Sequence, residues 1–247
     1  MKLNNQLFLP GDSYNGKAIL LIHGISSGCA QMIPMGKMLN DYGYAVYCAN
    51  VAGHGTYPQD LLHTSYENMI EKADYDFSML KREYDEVYVG GLSLGGCLTL
   101  ALGAERSDVA GIIPISAPLR MLPGNFVTDE HPADQIFMHR DLGGKEGIAR
   151  RYHIHYEEIA LRVCGELLKL CEYIRAPGYL EKIQCPALIC QAQDDNMADP
   201  TSCGEIYARI SSQRKELYNP VSGGHNLSFN EARFDLTKAA VSFLNPF

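Results

Sequence analysis

Ser93 stands in EVYVGGLSLGGCLTL, residues 86 to 100, between two glycine pairs, after a β-branched run and before a helix-forming one. A serine so placed is either a turn residue or a nucleophile held up for attack. Gly91-Leu92-Ser93-Leu94-Gly95 fits G-x-S-x-G, a pattern short enough to arise by chance in a chain with 23 glycines, so its context decides. That context is a strand turning straight into a helix. Turning within one residue strains the serine backbone at a cost of about 1–3 kcal/mol and brings strand and helix so close that a Cβ two residues to either side would collide. A mere turn gains nothing from that strain. A nucleophile gains an exposed Oγ at a helix N-terminus, where the following amide can face a developing oxyanion.

A serine hydroxyl is a weak nucleophile at neutral pH. It needs a base with a pKa near 7, and the base needs a carboxylate to hold its tautomer. Of the eight histidines, His225 in NPVSGGHNLSFNEARF lies in a glycine-rich loop between the last strand pattern and the last helix pattern, where it can reach across strand ends. The plainer alternative is an ordinary loop histidine. His153 and His155 are two apart in a helical stretch, face different directions and read as solvated rather than as a metal pair. His63, His131 and His139 have no supporting context. For the acid, Asp194, Asp195 and Asp199 all follow the strand pattern ALICQAQ. Asp195 is the choice, because a loop leaving after Asp194 puts it at the tip. The other two read as caps of a helix starting near Thr201, a role that suits Asp199. The run KAILLI passes into His23-Gly24-Ile25-Ser26-Ser27-Gly28, whose amides can point into the same site. The backbone N–H groups of Ile25 and Leu94 are the expected oxyanion donors.

These residues need strand ends to carry them. β-Branched or aromatic runs at 17–24, 44–51, 86–91, 110–118, 186–193 and 215–221 alternate with helical patterns at 29–41, 65–83, 94–105, 201–212 and 230–244. That alternation is the signature of a mostly parallel sheet covered by helices on both faces. QLFL near the start reads as an antiparallel edge strand. The rhythm breaks once, over 119–178, where no convincing strand is read and a Pro/Gly/Asp-rich loop leads into helical sequence. In an open α/β sheet ligands bind beyond the carboxyl ends of the strands, and this segment leaves from such an end, placed to form a lid.

A length of 247 residues suits one large α/β domain with an insertion. The net charge of −8 argues against nucleic acid or an anionic membrane surface as the main partner. Neither a signal-peptide core nor an apolar run of the roughly 18 residues needed to span a bilayer is read, so a cytoplasmic protein is expected. The eight cysteines are scattered without a C-x-x-C pair and read as small buried hydrophobes. Met32, Met35 and Met38 are spaced as helix core residues, with an acyl pocket as the rarer alternative.

Together, L-I-H-G at 21–24, A-G-H-G at 52–55 with Pro58, LLHT at 61–64, G-L-S-L-G-G at 91–96, the D-x-M-x-x-P pattern from Asp195 and S-G-G-H ending at His225 resemble the α/β-hydrolase superfamily, in its small bacterial carboxylesterase and monoacylglycerol-lipase-like branch. The resemblance covers nearly the whole chain. It implies a core of residues 1–118 and 179–247 and a small helical cap, 119–178, inserted after the sixth strand. It also implies Ser93 as nucleophile, Asp195 as acid, His225 as base, Ile25 and Leu94 as oxyanion donors, and His23 and His54 as structural residues of their loops. Ala198, where a larger aliphatic residue is usual, and a second glycine before His225 depart from the family pattern. The expected activity is cleavage of carboxylic esters of short to medium acyl chains, monoacylglycerols included, through an acyl-enzyme on Ser93. No cofactor or metal, no nucleic acid and no integral membrane association is expected. An acyltransferase or thioesterase would use the same triad, and a ligand-binding protein on the same scaffold is the rival from another class.

Overall fold

A computed structural model describes residues 6–12, 16–139, 147–152 and 156–245. His153 and His155, read above as solvated, lie outside the described residues. The strands are β1 (Leu7–Leu9), β2 (Lys17–Ile22), β3 (Ala45–Ala49), β4 (Glu86–Leu92), β5 (Gly111–Ile115), β6 (Phe137–His139), β7 (Glu158–Ala160), β8 (Ala187–Cys190) and β9 (Lys215–Tyr218). The helices are α1 (Ile33–Asp41), α2 (Tyr66–Lys81), α3 (Leu94–Glu105), α4 (Gly147–Tyr152), α5 (Leu161–Arg175), α6 (Ser202–Arg209) and α7 (Arg233–Leu244). Seven strands form one sheet in the order β1-β3-β2-β4-β5-β8-β9. All its pairs are parallel except β1 with β3, the antiparallel edge.

After Lys17 the run is apolar, Ala18 to Ile22, because both faces of β2 are covered there. Ala18, Leu20 and Ile22 point into a core shared with α2 and α3, while Ile19 and Leu21 point into a second core shared with α1 and α7. Met32 and Met35 are fully buried in that second core, so the methionine spacing is a packing signal.

Register then aligns the strand ends. Ile22 pairs with Gly91, Leu92 with Ile115, and Ile115 with Cys190. The loops that follow β2, β4 and β8 therefore leave from one rim, and β9, paired with β8, ends beside them. Among the described residues the segment after the rim departs from β5, the fifth strand of this chain rather than the sixth of the family count.

That segment corrects the sequence reading in one respect. Strand was not expected between 119 and 178, yet Phe137–His139 pairs with Glu158–Ala160 as a two-stranded antiparallel ladder. Each arm is only three residues long, too short for its alternation to stand out in sequence. The helical pattern around it is consequently split into α4 and α5, and Cys29–Met32 is a 3-10 turn ahead of α1 rather than its first turn.

Candidate active site

Ser93 occupies the turn between β4 and α3 with φ 56° and ψ −113°, a conformation that non-glycine residues rarely adopt. Its N–H donates to the Ile115 carbonyl of β5 at 2.8 Å, and its carbonyl accepts the Cys97 N–H of α3 at 3.0 Å. The glycines make the turn sterically feasible. A Cβ on Gly91 would lie 2.3 Å from the Gly95 carbonyl oxygen, and one on Gly95 would lie 2.1 Å from that of Ile22. Leu94 opens α3, so no preceding turn supplies a carbonyl for its N–H.

Asp195 is buried beyond β8 and collects donors. Its Oδ1 accepts the N–H groups of Met197 at 2.9 Å and Ala198 at 3.0 Å, and its Oδ2 accepts Gln191 Nε2 at 3.1 Å. His225 Nδ1 lies 2.9 and 3.0 Å from the two carboxylate oxygens. Burial by itself pushes the Asp195 carboxyl up. The hydrogen bond and charge of His225, with the bonds from Met197 and Gln191, outweigh it and hold the group below the usual carboxylate range. With Nδ1 donating to the carboxylate, Nε2 of His225 is left as the acceptor.

Ser93 and His225 line one cavity of about 120 Å³. Gly24, Ile25, Gln31 and Leu92 also line it, Met121 and Phe126 come from the segment after β5, and Met197 and Asn226 complete it. All five residues named from sequence thus converge: two share the cavity wall with Ile25, Asp195 backs His225, and Leu94 follows Ser93.

The Ile25 loop is held from several directions. Gly24 N–H donates to Gln31 Oε1 at 2.8 Å and Ser26 N–H to His54 Nε2 at 3.1 Å, whereas the Ile25 N–H has no acceptor among the described residues. His23 Nε2 accepts the Val51 N–H at 3.1 Å, which places the ring proton on Nδ1, 2.7 Å from the Gly24 carbonyl oxygen. That carbonyl and the Ile25 N–H belong to one peptide plane and point in opposite directions. The imidazole that holds the carbonyl therefore also sets the aim of the amide. Burial, with the nearby His54, pushes His23 down to about 3, and burial pushes His54 down to about 4, so both rings are neutral at pH 7.

Two supporting residues escaped the sequence reading. Gln191, 1% exposed, donates to Asp195 and accepts the Cys203 N–H at 3.1 Å; its signal was an amide side chain at the end of an otherwise apolar strand. Asp194, expected as a helix cap, instead accepts the N–H groups of Gly223 at 3.3 Å and Gly224 at 2.7 Å, in the loop of His225. The second glycine before His225 thereby acquires a purpose: its φ of 61° is left-handed, and its N–H meets a carboxylate. Asp199 does stand at the start of α6, accepting from Thr201 N–H at 2.9 Å. No group of three or more His, Cys, Asp or Glu that could hold a metal ion is found among the described residues, nor any helix long and apolar enough to cross a membrane.

Comparison with known proteins gives the family. The chain is 29% identical over 202 residues, 81% of its length and 78% of the relative's, to the thermostable monoacylglycerol lipase of Bacillus sp. strain H-257. It is 28% identical over 231 residues, 92% of each chain, to the carboxylesterase of Bacillus subtilis strain 168. A solved structure from work on LipS and LipT, two metagenome-derived lipolytic enzymes, shares the fold at a TM-score of 0.83 with 24% identity, over 97% of this chain and 96% of that one. The model of the Hydrolase_4 family, described as serine aminopeptidase S33, matches residues 15–232, and the chain accordingly belongs to this family of α/β-hydrolases.

Proposed function

We propose that the protein is a serine hydrolase of carboxylic esters, with an acyl-enzyme formed on Ser93. The observation that carries this reading is the hydrogen-bonded Asp195–His225 pair opening onto the cavity that Ser93 lines. Ser93 Oγ attacks the acyl carbonyl and passes its proton to His225 Nε2. The oxyanion is received by the N–H groups of Ile25 and Leu94, each such donor being worth about 3–4 kcal/mol in the transition state. Asp195 keeps the imidazole in the required tautomer and stabilises its cation. His225 then returns the proton to the leaving alcohol, and water releases the acid by the same route.

Esters are favoured by the names of the two Bacillus relatives, a monoacylglycerol lipase and a carboxylesterase. The family's own description is of a peptidase, and an aminoacyl p-nitroanilide assayed beside the esters separates the two. The small cavity, with Met121 and Phe126 of the expected cap and Met197 around it, suits short to medium acyl chains. The test is a chain-length series of p-nitrophenyl esters with wild type and Ser93→Ala. Turnover should fall by at least about 10³-fold in a variant that still folds, and retained turnover removes Ser93 from the mechanism.

A further inference from the structure

Gln31 lies in the 3-10 turn Cys29–Met32 and is 3% exposed. Its Oε1 accepts the Gly24 N–H at 2.8 Å. That bond decides which end of the carboxamide is oxygen, since an amide N–H cannot donate to another N–H donor. The opposite end, Nε2 with two donors, has no acceptor among the described residues, although Gln31 lines the cavity of Ser93. It is also near the reacting group: a Cβ built on Gly24 would lie 3.3 Å from Gln31 Oε1 and 3.6 Å from Ser93 Cβ. A donor that lines the cavity and has no acceptor among the described residues is free to meet an oxygen of a bound molecule.

Resting on the ester-hydrolase reading of this site, we propose that Gln31 is a substrate-binding residue whose Nε2 donates to an oxygen of the ester other than the scissile carbonyl. The scissile oxygen is taken by the Ile25 and Leu94 amides. Met121, Phe126 and Met197 offer the rest of the substrate apolar surface and no strong donor. The site therefore selects esters that carry a further ether or hydroxyl oxygen near the reacting carbonyl, on the acyl or on the alcohol chain.

Two isosteric pairs test this: butyl against 2-methoxyethyl pentanoate, for an oxygen in the alcohol, and butyl pentanoate against butyl 3-methoxypropanoate, for one in the acyl chain. Acid release gives kcat/KM for each in wild type and Gln31→Met. The preference for the oxygen-bearing ester should be greater in wild type than in the variant by roughly fivefold to tenfold in one pair, and that pair identifies the side. Intrinsic reactivity cancels in the comparison, and each ratio is taken within one protein, so partial loss of folded variant cancels too. Should Gln31→Met not fold, Gln31→Glu, which keeps an acceptor for Gly24 and loses the donors, carries the same expectation. Ratios agreeing within about twofold in both pairs overturn the role of Gln31. A wild type that cleaves none of these esters and is not labelled on Ser93 by a fluorophosphonate overturns the ester-hydrolase reading, and this inference with it.

Discussion

His23 and His54 meet edge to face with ring centroids 5.2 Å apart, and each spends both nitrogens on backbone groups. Neither ring can take a second proton without losing an accepted N–H, from Val51 or from Ser26, and that loss reaches the loop of Ile25. The unfolded chain, with histidines near 6.5, binds protons that the folded chain refuses until pH falls to about 4 and 3. By linkage, stability contributed by these two rings is complete above about pH 6.5 and is lost as pH falls through that window. Urea midpoints measured from pH 7 to pH 4 should drop with decreasing pH. His54→Gln, which keeps an acceptor for Ser26, should flatten the slope by about one proton, and an unchanged slope would show that His54 titrates freely in the fold.

At the level of single elements, the His225 imidazole is carried by a loop with little regular structure, and Asp194 ties it down. The carboxylate joins the turn after β8 to the turn after β9 through two glycine amides. The same turn therefore offers one aspartate to the imidazole and its neighbour to the loop that presents the imidazole. Asp194 is exposed, so its loss should scarcely change stability. Asp194→Ala should instead lower kcat for an aryl ester by about tenfold to a hundredfold, because small misplacements of a reacting group are costly. Circular dichroism and thermal melting check that the fold is kept. A variant with wild-type kcat would mean that the Gly223-Gly224 turn holds His225 unaided.

Over the whole molecule, the segment that leaves the sheet after β5 returns to the same core. Val163, Leu167, Leu170 and Ile174 of α5 join the apolar cluster of α2 and α3. Glu166, 3% exposed, adds a polar tie: its Oε2 accepts the Tyr66 N–H at the start of α2 at 3.1 Å, while Lys169 Nζ lies 2.8 Å from its Oε1. A carboxylate at that place also complements the positive end of the α2 dipole. Glu166→Ala leaves the Tyr66 N–H without this partner and should destabilise the protein by about 1–3 kcal/mol, read as a lower urea midpoint with the m-value unchanged. A midpoint equal to wild type would show that water replaces the carboxylate at no cost.

The amino-acid order alone determined the alternating elements, the parallel sheet with its antiparallel edge, and the candidate residues for chemistry. Each of these is written locally, in apolar periodicity, in glycines flanking one serine, and in aspartates and a histidine placed after strand patterns. The short ladder of Phe137–His139 with Glu158–Ala160 was not legible, because three-residue strands have too few positions to display a period. Nor was the meeting of Asp194 with Gly223 and Gly224. Such pairings are set by which strand ends the register brings to one rim, and a hydrogen bond between residues distant in sequence leaves no mark on the spacing of either.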